Sequence, residues 1–290
     1  STGRAYIYYG GLIISTIANV ILTGGASNNY FGRAVSAAGD VNGDGYDDVI
    51  VGAYGYTSST GRAYIYFGGA PMNNTADVTM TGESTFNLFG ISVSTAGDVN
   101  GDGFSDVIVG ANGYSSNTGR AYIFLGGAAM NNASDITMTG EALNSHFGYS
   151  VSDAGDVNGD GYDDVIIGAP LYELCCQLGR AYIYFGGVTT DNGADVIMEG
   201  LYDSRLGFIV AGAGDVNSDG YADVIVRDSY NNTGKANIFF GGAAMNNVPD
   251  VIMTDGSSGF GSSISGAGDV NDDGYDDVIV SDIDYSNDLG

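Results

Sequence analysis

One acidic phrase recurs along the chain and constrains its fold more than any other feature. The first copy is GDVNGDGYDDVIVGA at residues 39–53. Four similar copies follow, at 97–111, 155–169, 214–228 and 268–282. The leading aspartates recur every 54 to 59 residues, at Asp40, Asp98, Asp156, Asp215 and Asp269. A fixed period of this length predicts a repeat architecture in which each unit is one supersecondary motif.

The rest of each unit repeats as well. A Phe-Gly pair precedes the phrase at 31–32, 89–90, 147–148 and 260–261, with Leu206-Gly207 in the fourth copy. A GRAYIYFGG-like segment follows the phrase and starts at Gly3, Gly61, Gly119, Gly179 and Gly234. A DVTMTG-like segment comes last, near Asp77, Asp135, Asp195 and Asp250, with Asn19 in the first copy. One domain of repeats of about 58 residues therefore covers 1–290.

The overall charge limits the classes of partner. The net charge is −27, with 8 Lys+Arg against 35 Asp+Glu. Such acidity argues against binding to nucleic acid or to anionic membranes. No apolar run approaches the ~18 residues of a transmembrane segment. The chain shows neither a starting Met nor a signal peptide, which favours a mature or trimmed chain.

The acidic phrase has the spacing of a metal-binding loop. Asp40, Asn42, Asp44, Tyr46 and Asp48 occupy positions 1, 3, 5, 7 and 9 of a nine-residue segment. Positions 1, 3, 5 and 9 offer side-chain oxygens and position 7 offers its backbone carbonyl. Oxygen ligands in this number favour Ca²⁺. The alternative is an Asx-rich turn that binds nothing, but five copies with three carboxylates each favour about one Ca²⁺ per repeat, five in all.

The other four copies keep the same ligand types, with Phe instead of Tyr at position 7 of the second. They are Asp98, Asn100, Asp102, Phe104, Asp106; Asp156, Asn158, Asp160, Tyr162, Asp164; Asp215, Asn217, Asp219, Tyr221, Asp223; and Asp269, Asn271, Asp273, Tyr275, Asp277. An EF-hand would place a bidentate Glu at position 12. Position 12 is apolar here, as at Val51, so we expect the loop to join two strands.

Each full unit contains four candidate strands, in the first unit at 31–37, 48–53, 61–68 and 76–82. In the second strand Val49 and Val51 point to one face and Ile50 to the other. The third strand places Ala63, Ile65 and Phe67 opposite Tyr64 and Tyr66. A sheet that is apolar on both faces must be covered on both. Four-stranded sheets packed face to face around an axis form an all-β propeller.

The chain begins and ends within a unit. It starts with a third and a fourth strand, at 3–10 and 18–24, and ends with a first and a second strand, at 260–266 and 277–282. Pairing of these terminal strands would close a propeller of five blades. The alternative is a segment of a longer array.

These elements resemble the FG-GAP repeats of integrin α-subunit propellers and their bacterial relatives. The similarity rests on the FG pairs, the DVNGDG loops and the GAP at 168–170, which becomes GAY at 52–54 and GAN at 110–112. It implies Ca²⁺ on one face of the propeller and a protein or glycan partner on the other. Integrin propellers, however, have seven blades and bind metal in only some of them.

No catalytic set is evident. His146 is the only histidine, and the absence of Trp argues against a sialidase. We therefore expect a non-enzymatic, secreted or cell-surface protein that serves adhesion or builds an extracellular assembly, with self-association as one option. A carbohydrate-binding lectin with sites between the blades is the alternative, and a hydrolase is the least supported.

Other repeated or unusual residues give further expectations. Four arginines and a lysine fill one repeat position, which predicts a structural cation paired with a carboxylate or, alternatively, a charge ring for an anionic ligand. They are Arg4, Arg62, Arg120, Arg180 and Lys235. Asn73, Asn132 and Asn231 begin glycosylation sequons. The adjacent Cys175 and Cys176 are either thiols in a loop insertion or part of a vicinal or interchain disulfide.

Overall fold

The computed structural model of the chain describes residues 2–12, 15–173, 176–189, 192–229 and 233–284. These residues form twenty β-strands and two four-residue helical segments, α1 (Tyr56–Ser59) and α2 (Tyr114–Asn117). Both segments contain residues outside the helical region, such as Thr57 with φ 38°. They are therefore tight turns between strands, and the fold is all-β.

Four sheets each contain four strands that pair antiparallel in chain order. They are β3 (Val35–Gly39), β4 (Asp48–Ala53), β5 (Arg62–Tyr66) and β6 (Val78–Thr81); β7 (Ser92–Gly97), β8 (Asp106–Ala111), β9 (Arg120–Phe124) and β10 (Ile136–Thr139); β11 (Ser150–Gly155), β12 (Asp164–Ala169), β13 (Arg180–Tyr184) and β14 (Val196–Glu199); β15 (Val210–Gly214), β16 (Asp223–Asp228), β17 (Lys235–Phe239) and β18 (Val251–Met253). These sheets are the predicted blades.

The two ends of the chain form a two-stranded sheet each. They are β1 (Arg4–Ile7) with β2 (Val20–Thr23), and β19 (Phe260–Gly268) with β20 (Asp277–Asp282). These are the half-blades that the sequence predicts. In the part of the chain described here, the two half-blades are separate sheets. The four blades and two half-blades are those that the sequence predicts. Closure of the propeller by pairing of the terminal strands stays a prediction.

The predicted alternation of side chains in the blades is confirmed. Ile50, Ala63 and Ile65 pack in one cluster with β7–β10 residues such as Val107 and Tyr122. The opposite face of the same sheet packs against the first half-blade, through residues that include Val49, Val51, Tyr64 and Tyr66. Burial on both faces supplies the hydrophobic stabilisation that holds the blades together.

The repeated Phe-Gly pairs pack between neighbouring blades. Phe89 is 2% exposed and its ring lies edge-on to Tyr122, with 5.3 Å between ring centroids. Phe147 and Tyr182 repeat this contact at 5.3 Å. The first strand, predicted at 31–37, begins only at Val35, because the Phe-Gly pair at 31–32 belongs to this contact between blades. The interblade tyrosines Tyr122 and Tyr182 are core residues.

The first strands of successive blades contact one another, from β3 through β7, β11 and β15 to β19. Most of their residues are small, which allows this close approach. Asp153 in β11 is the one charged side chain of these five strands. Burial, together with the nearby Asp163, raises the pKa of Asp153 to about 6, although the Gly155 N–H bond opposes the shift. Compared with the unfolded chain, the folded protein therefore favours the protonated form of this carboxyl group.

We expect replacement of Asp153 by Thr, the residue at the same place in β7, to change the pH dependence of stability. Because the folded pKa lies above the ordinary value of 3.8, this carboxyl contributes most below pH ~4 and its contribution is lost as pH rises through about 6. Asp153→Thr should raise the free energy of unfolding at pH 8 relative to wild type by about 1–3 kcal/mol.

Urea unfolding at pH 5 and pH 8 measures this effect. Ser152→Ala, on the same strand, is the control for a neutral substitution and should give no pH-dependent difference from wild type. An equal loss of stability between pH 5 and pH 8 in Asp153→Thr and in wild type would contradict the raised pKa of Asp153.

Candidate metal centres

The five acidic loops occupy one edge of the sheets, where each first strand turns into the second. A β-bulge precedes the first loop, with a register shift between Ala37 and Gly39. Gly39 has φ +70°, a conformation that suits glycine. The loop then runs from Asp40 to Asp48, and Asp48 is the first residue of β4. The same arrangement places the other four loops on the same edge.

The aspartate at position 1 closes the loop through the backbone. One carboxylate oxygen of Asp40 accepts the N–H of Gly43 at 2.7 Å and of Asp44 at 3.1 Å. Its other oxygen accepts the N–H of Gly45 at 2.8 Å. Asp98 and Asp156 make the same bonds. The side chain therefore organises the curl that the spacing predicts.

Positions 3 and 5 also point into the loop. Asn42 Oδ1 accepts the N–H of Asp44 at 2.8 Å, and its amide nitrogen donates to Asp44 Oδ2 at 3.1 Å. Asp44 Oδ1 accepts the N–H of Tyr46 at 3.0 Å. The geometry of an Asx-rich turn is thus present, and it gathers the oxygens of positions 1, 3 and 5 within one short loop.

The aspartate at position 9 has a structural role that the sequence analysis missed. Asp48 is fully buried; its Oδ2 accepts the N–H of Val41 at 2.9 Å and its Oδ1 the N–H of Gly68 at 2.7 Å. Gly68 follows β5, so one carboxylate joins the loop to the end of the third strand. Asp106, Asp164 and Asp223 repeat this pair of bonds.

Burial raises the pKa of these position 9 carboxyls. The pKa is about 6 for Asp48 and Asp223 and about 7 for Asp106 and Asp164. Desolvation is the main cause, and the charges at positions 5 and 1 add to it, as Asp44 and Asp40 do for Asp48. The two backbone hydrogen bonds act in the opposite direction. A cation within the loop would remove this cost of like charges near a buried carboxylate.

The donor set of each loop fits a hard cation. An ionised carboxylate offers about four lone-pair sites, so the three bonds to Asp40 and the two to Asp48 leave acceptor capacity. Position 3 adds an amide oxygen and position 7 a backbone carbonyl. Among the described residues, however, no group of three or more acidic, His or Cys side chains converges as a metal centre. The oxygen ligands suit Ca²⁺, and in this structure the side-chain oxygens of the loop accept hydrogen bonds from backbone N–H groups.

Comparison with known proteins agrees with this repeat. The FG-GAP repeat model matches residues 31–66, 89–124 and 147–184. The chain is an FG-GAP repeat protein. It is 31% identical over 219 residues to integrin alpha-8 of Gallus gallus and 34% identical over 219 residues to integrin alpha-5 of Xenopus laevis. Each match covers 69% of this chain and 20% of the integrin.

A third relative is integrin alpha-6 of Homo sapiens, which is 39% identical over 145 residues. That match covers 49% of this chain and 13% of the integrin. The FG-GAP chain therefore spans about a fifth or less of the length of these relatives. The three FG-GAP repeat matches contain the first three acidic loops.

The arginine position contributes to contacts between blades. Arg120 stacks over Tyr114 at 3.7 Å and forms an ion pair of 2.7 Å with Glu83 of the preceding blade. Arg180 stacks over Tyr172 at 3.6 Å and pairs with Glu141 at 2.7 Å. The predicted pairing with a carboxylate is confirmed at these two positions. The arginines lie at the sheet edge opposite the acidic loops, because they start the third strands.

The remaining predicted residues have less defined roles. Asn73 and Asn132 are exposed, while Asn231 and Cys175 lie outside the described residues. His146 is partly buried, and burial lowers its pKa. In the described ranges no helix has the length and apolar character needed to cross a bilayer.

Neighbouring acidic loops also pack against each other. A Cβ on Gly43 would lie 2.4 Å from the Phe104 ring of the next loop, and Tyr162 and Tyr221 approach Gly101 and Gly159 in the same way. The sequence predicts only that position 7 offers its backbone carbonyl oxygen to the metal ion. Each ring contact joins residues of two neighbouring repeats, about 60 residues apart in the chain. The pattern of a single repeat therefore does not predict these contacts.

We expect Gly43→Ala to destabilise the protein more than Gly45→Ala. Both glycines have positive φ, at +75° and +88°, so both substitutions carry backbone strain of about 1–2 kcal/mol. Only Gly43 faces a ring, since a Cβ on Gly45 meets nothing within 4 Å. Chemical denaturation should give an extra cost of about 1 kcal/mol for Gly43→Ala. In a Phe104→Ala background the two substitutions should become equal, and a difference that persists there would contradict the ring contact.

Proposed function

We propose that this FG-GAP protein is an extracellular, calcium-binding β-propeller that serves adhesion or forms a unit of a surface assembly, without catalysis. One observation carries the proposal: five loops with the same all-oxygen donor set lie on one edge of the sheets. The integrin relatives support a role in adhesion, although the matched region is a small part of those proteins.

The charge of the chain supports the calcium sites. Three carboxylates in each of five loops make 15 of the 35 acidic residues. Because each Ca²⁺ carries two positive charges, five ions would reduce the net charge from −27 to −17. The bound ions would be held by positions 1, 3, 5, 7 and 9, and they would supply structural stabilisation.

The opposite face is suited to a protein partner. In three of the four full blades the loop from the fourth strand to the next blade exposes a large apolar side chain there, with Phe86 at 70%, Leu143 at 67% and Tyr202 at 66% exposure. Exposed apolar groups clustered on one face are typical of interaction sites. The interblade tyrosines Tyr122 and Tyr182 are buried, which favours a protein partner over carbohydrate sites between the blades.

Calcium removal should lower the melting temperature by many degrees. At a calcium concentration one hundred times the dissociation constant, each occupied loop stabilises the fold by about 2.7 kcal/mol. Thermal unfolding in EGTA and in millimolar Ca²⁺ measures this, with Mg²⁺ at the same ionic strength as the control. An identical melt with and without Ca²⁺ would contradict metal binding by the loops.

Two variants of the second loop separate metal binding from loop structure. Asp102 is exposed and Asp106 is fully buried between two backbone N–H groups. We expect Asp102→Asn to lower the melting temperature in Ca²⁺ only, whereas Asp106→Asn should lower it with and without the ion.

Adhesion is tested with arrays of purified matrix proteins and of glycans in Ca²⁺. Replacing Phe86, Leu143 and Tyr202 with Ser should abolish binding to a matrix protein without changing the melt. Val188→Ser with Val248→Ser, in exposed loops at the metal edge, is the matched control. Binding to glycans alone would support the lectin, and turnover in a substrate screen would contradict the non-catalytic role.

A further inference from the structure

The acidic loops of successive blades are joined by the backbone at position 8. The N–H of Ser105 in the second loop donates to the carbonyl of Asp40 in the first at 3.1 Å. Asp163 and Ala222 repeat this bond to Asp98 and Asp156 at 3.3 and 3.0 Å, and Asp276 repeats it to Asp215 at 3.1 Å. Each position 1 ligand is thus held from the next blade.

In two of these four junctions a carboxylate completes the contact. Asp163 Oδ2 accepts the N–H of Asp98 at 2.8 Å, and Asp276 Oδ2 accepts the N–H of Asp215 at 2.8 Å. Ser105 and Ala222 stand at the same position in the other two junctions, and Ala222 has no side-chain acceptor. The residue at position 8 differs from repeat to repeat, so the sequence itself decides which junctions contain the carboxylate.

A glycine with positive φ lies beneath the position 8 side chain at all four junctions, and at two of them that side chain is a carboxylate. Gly97 precedes Asp98 with φ +71°, and a Cβ there would lie 2.2 Å from Asp163 Oδ2. Gly214 precedes Asp215 with φ +76°, and its Cβ would lie 2.2 Å from Asp276 Oδ2. The carboxylate therefore sits directly over the backbone that enters the preceding loop.

We propose that Asp163 and Asp276 are positioning residues for the Ca²⁺ ligands of the preceding blade. Each carboxylate fixes the backbone of the position 1 aspartate, so the second and fourth loops are more preorganised than the first and third. The inference rests on the proposed calcium sites. It makes the affinity of one loop depend on a residue of the next, as outer-shell partners commonly tune a metal site.

A single tryptophan isolates the second loop for measurement. The chain contains no Trp, so Phe104→Trp at position 7, excited at a wavelength that tyrosine does not absorb, gives a single indole donor of luminescence energy transfer to Tb³⁺. Because the ring at position 104 also lies against Gly43 of the first loop, the background carries Asp44→Asn to remove a ligand of that loop, and competition with Ca²⁺ then reports the affinity of the second loop. The variants Asp163→Ala, Asp163→Asn and Asp47→Ala are compared in this background.

We expect Asp163→Ala to weaken Ca²⁺ binding at the second loop about tenfold or more. Asp163→Asn keeps an oxygen acceptor without the charge and should restore most of the affinity. Asp47→Ala removes the position 8 carboxylate of the first loop, where it is exposed, and should leave the second loop unchanged. Equal losses for Asp163→Ala and Asp163→Asn would assign the effect to charge and overturn the proposal.

A gain of affinity gives a test that misfolding cannot imitate. Tyr162→Trp, combined with Asp102→Asn to remove a ligand of the second loop that this ring contacts, reports on the third loop, whose neighbour carries Ala222. Ala222→Asp should strengthen Ca²⁺ binding at the third loop about tenfold, and an unchanged affinity would overturn the proposal. Absence of Tb³⁺ and Ca²⁺ binding in every background would instead reject the calcium sites on which the inference rests.

Discussion

A buried carboxylate at the start of the second strand connects the parts of each four-stranded blade. Asp48 accepts one N–H from its own loop and one from the end of the third strand. Losing either bond would leave a buried backbone donor unsatisfied, which costs about 1–3 kcal/mol. The loop conformation and the junction of strands one, two and three therefore depend on this side chain, and the same pair of bonds recurs at Asp106, Asp164 and Asp223.

The same carboxylate links stability to the proposed metal binding. Its burial beside the charges at positions 1 and 5 raises its pKa, so the loop is electrostatically costly without a counter-ion. A divalent cation would offset that cost and hold the loop that its ligands already curl. Because loops of neighbouring blades share hydrogen bonds, the metal edge acts as a connected row. The opposite edge exposes large apolar side chains such as Phe86 and Leu143.

Local pattern was sufficient to predict much of this fold. The second strand has the predicted bounds, 48–53, and the opposed faces of Ile50 and Val51 follow from strand alternation. Contacts between units could not be predicted in this way. The Glu83 partner of Arg120 lies 37 residues away, and the carboxylate of Asp163 lies 65 residues from the N–H of Asp98 that it accepts. Their meeting depends on how the blades stack, which a repeated unit does not encode by itself. The spacing of the ligands is evident in the sequence. The hydrogen bond from Gly68 to Asp48, by contrast, becomes evident only when the structure places the end of the third strand beside the loop.

The most direct test is a high-resolution crystal structure grown in millimolar Ca²⁺, with anomalous scattering to identify the ions. We predict one ion in each acidic loop, with oxygens of positions 1, 3, 5, 7 and 9 at about 2.3–2.6 Å, and with Asp48, Asp106, Asp164 and Asp223 still bonded to both backbone N–H groups. Loops without ions at this concentration, closed only by the hydrogen bonds of an Asx-rich turn, would contradict it.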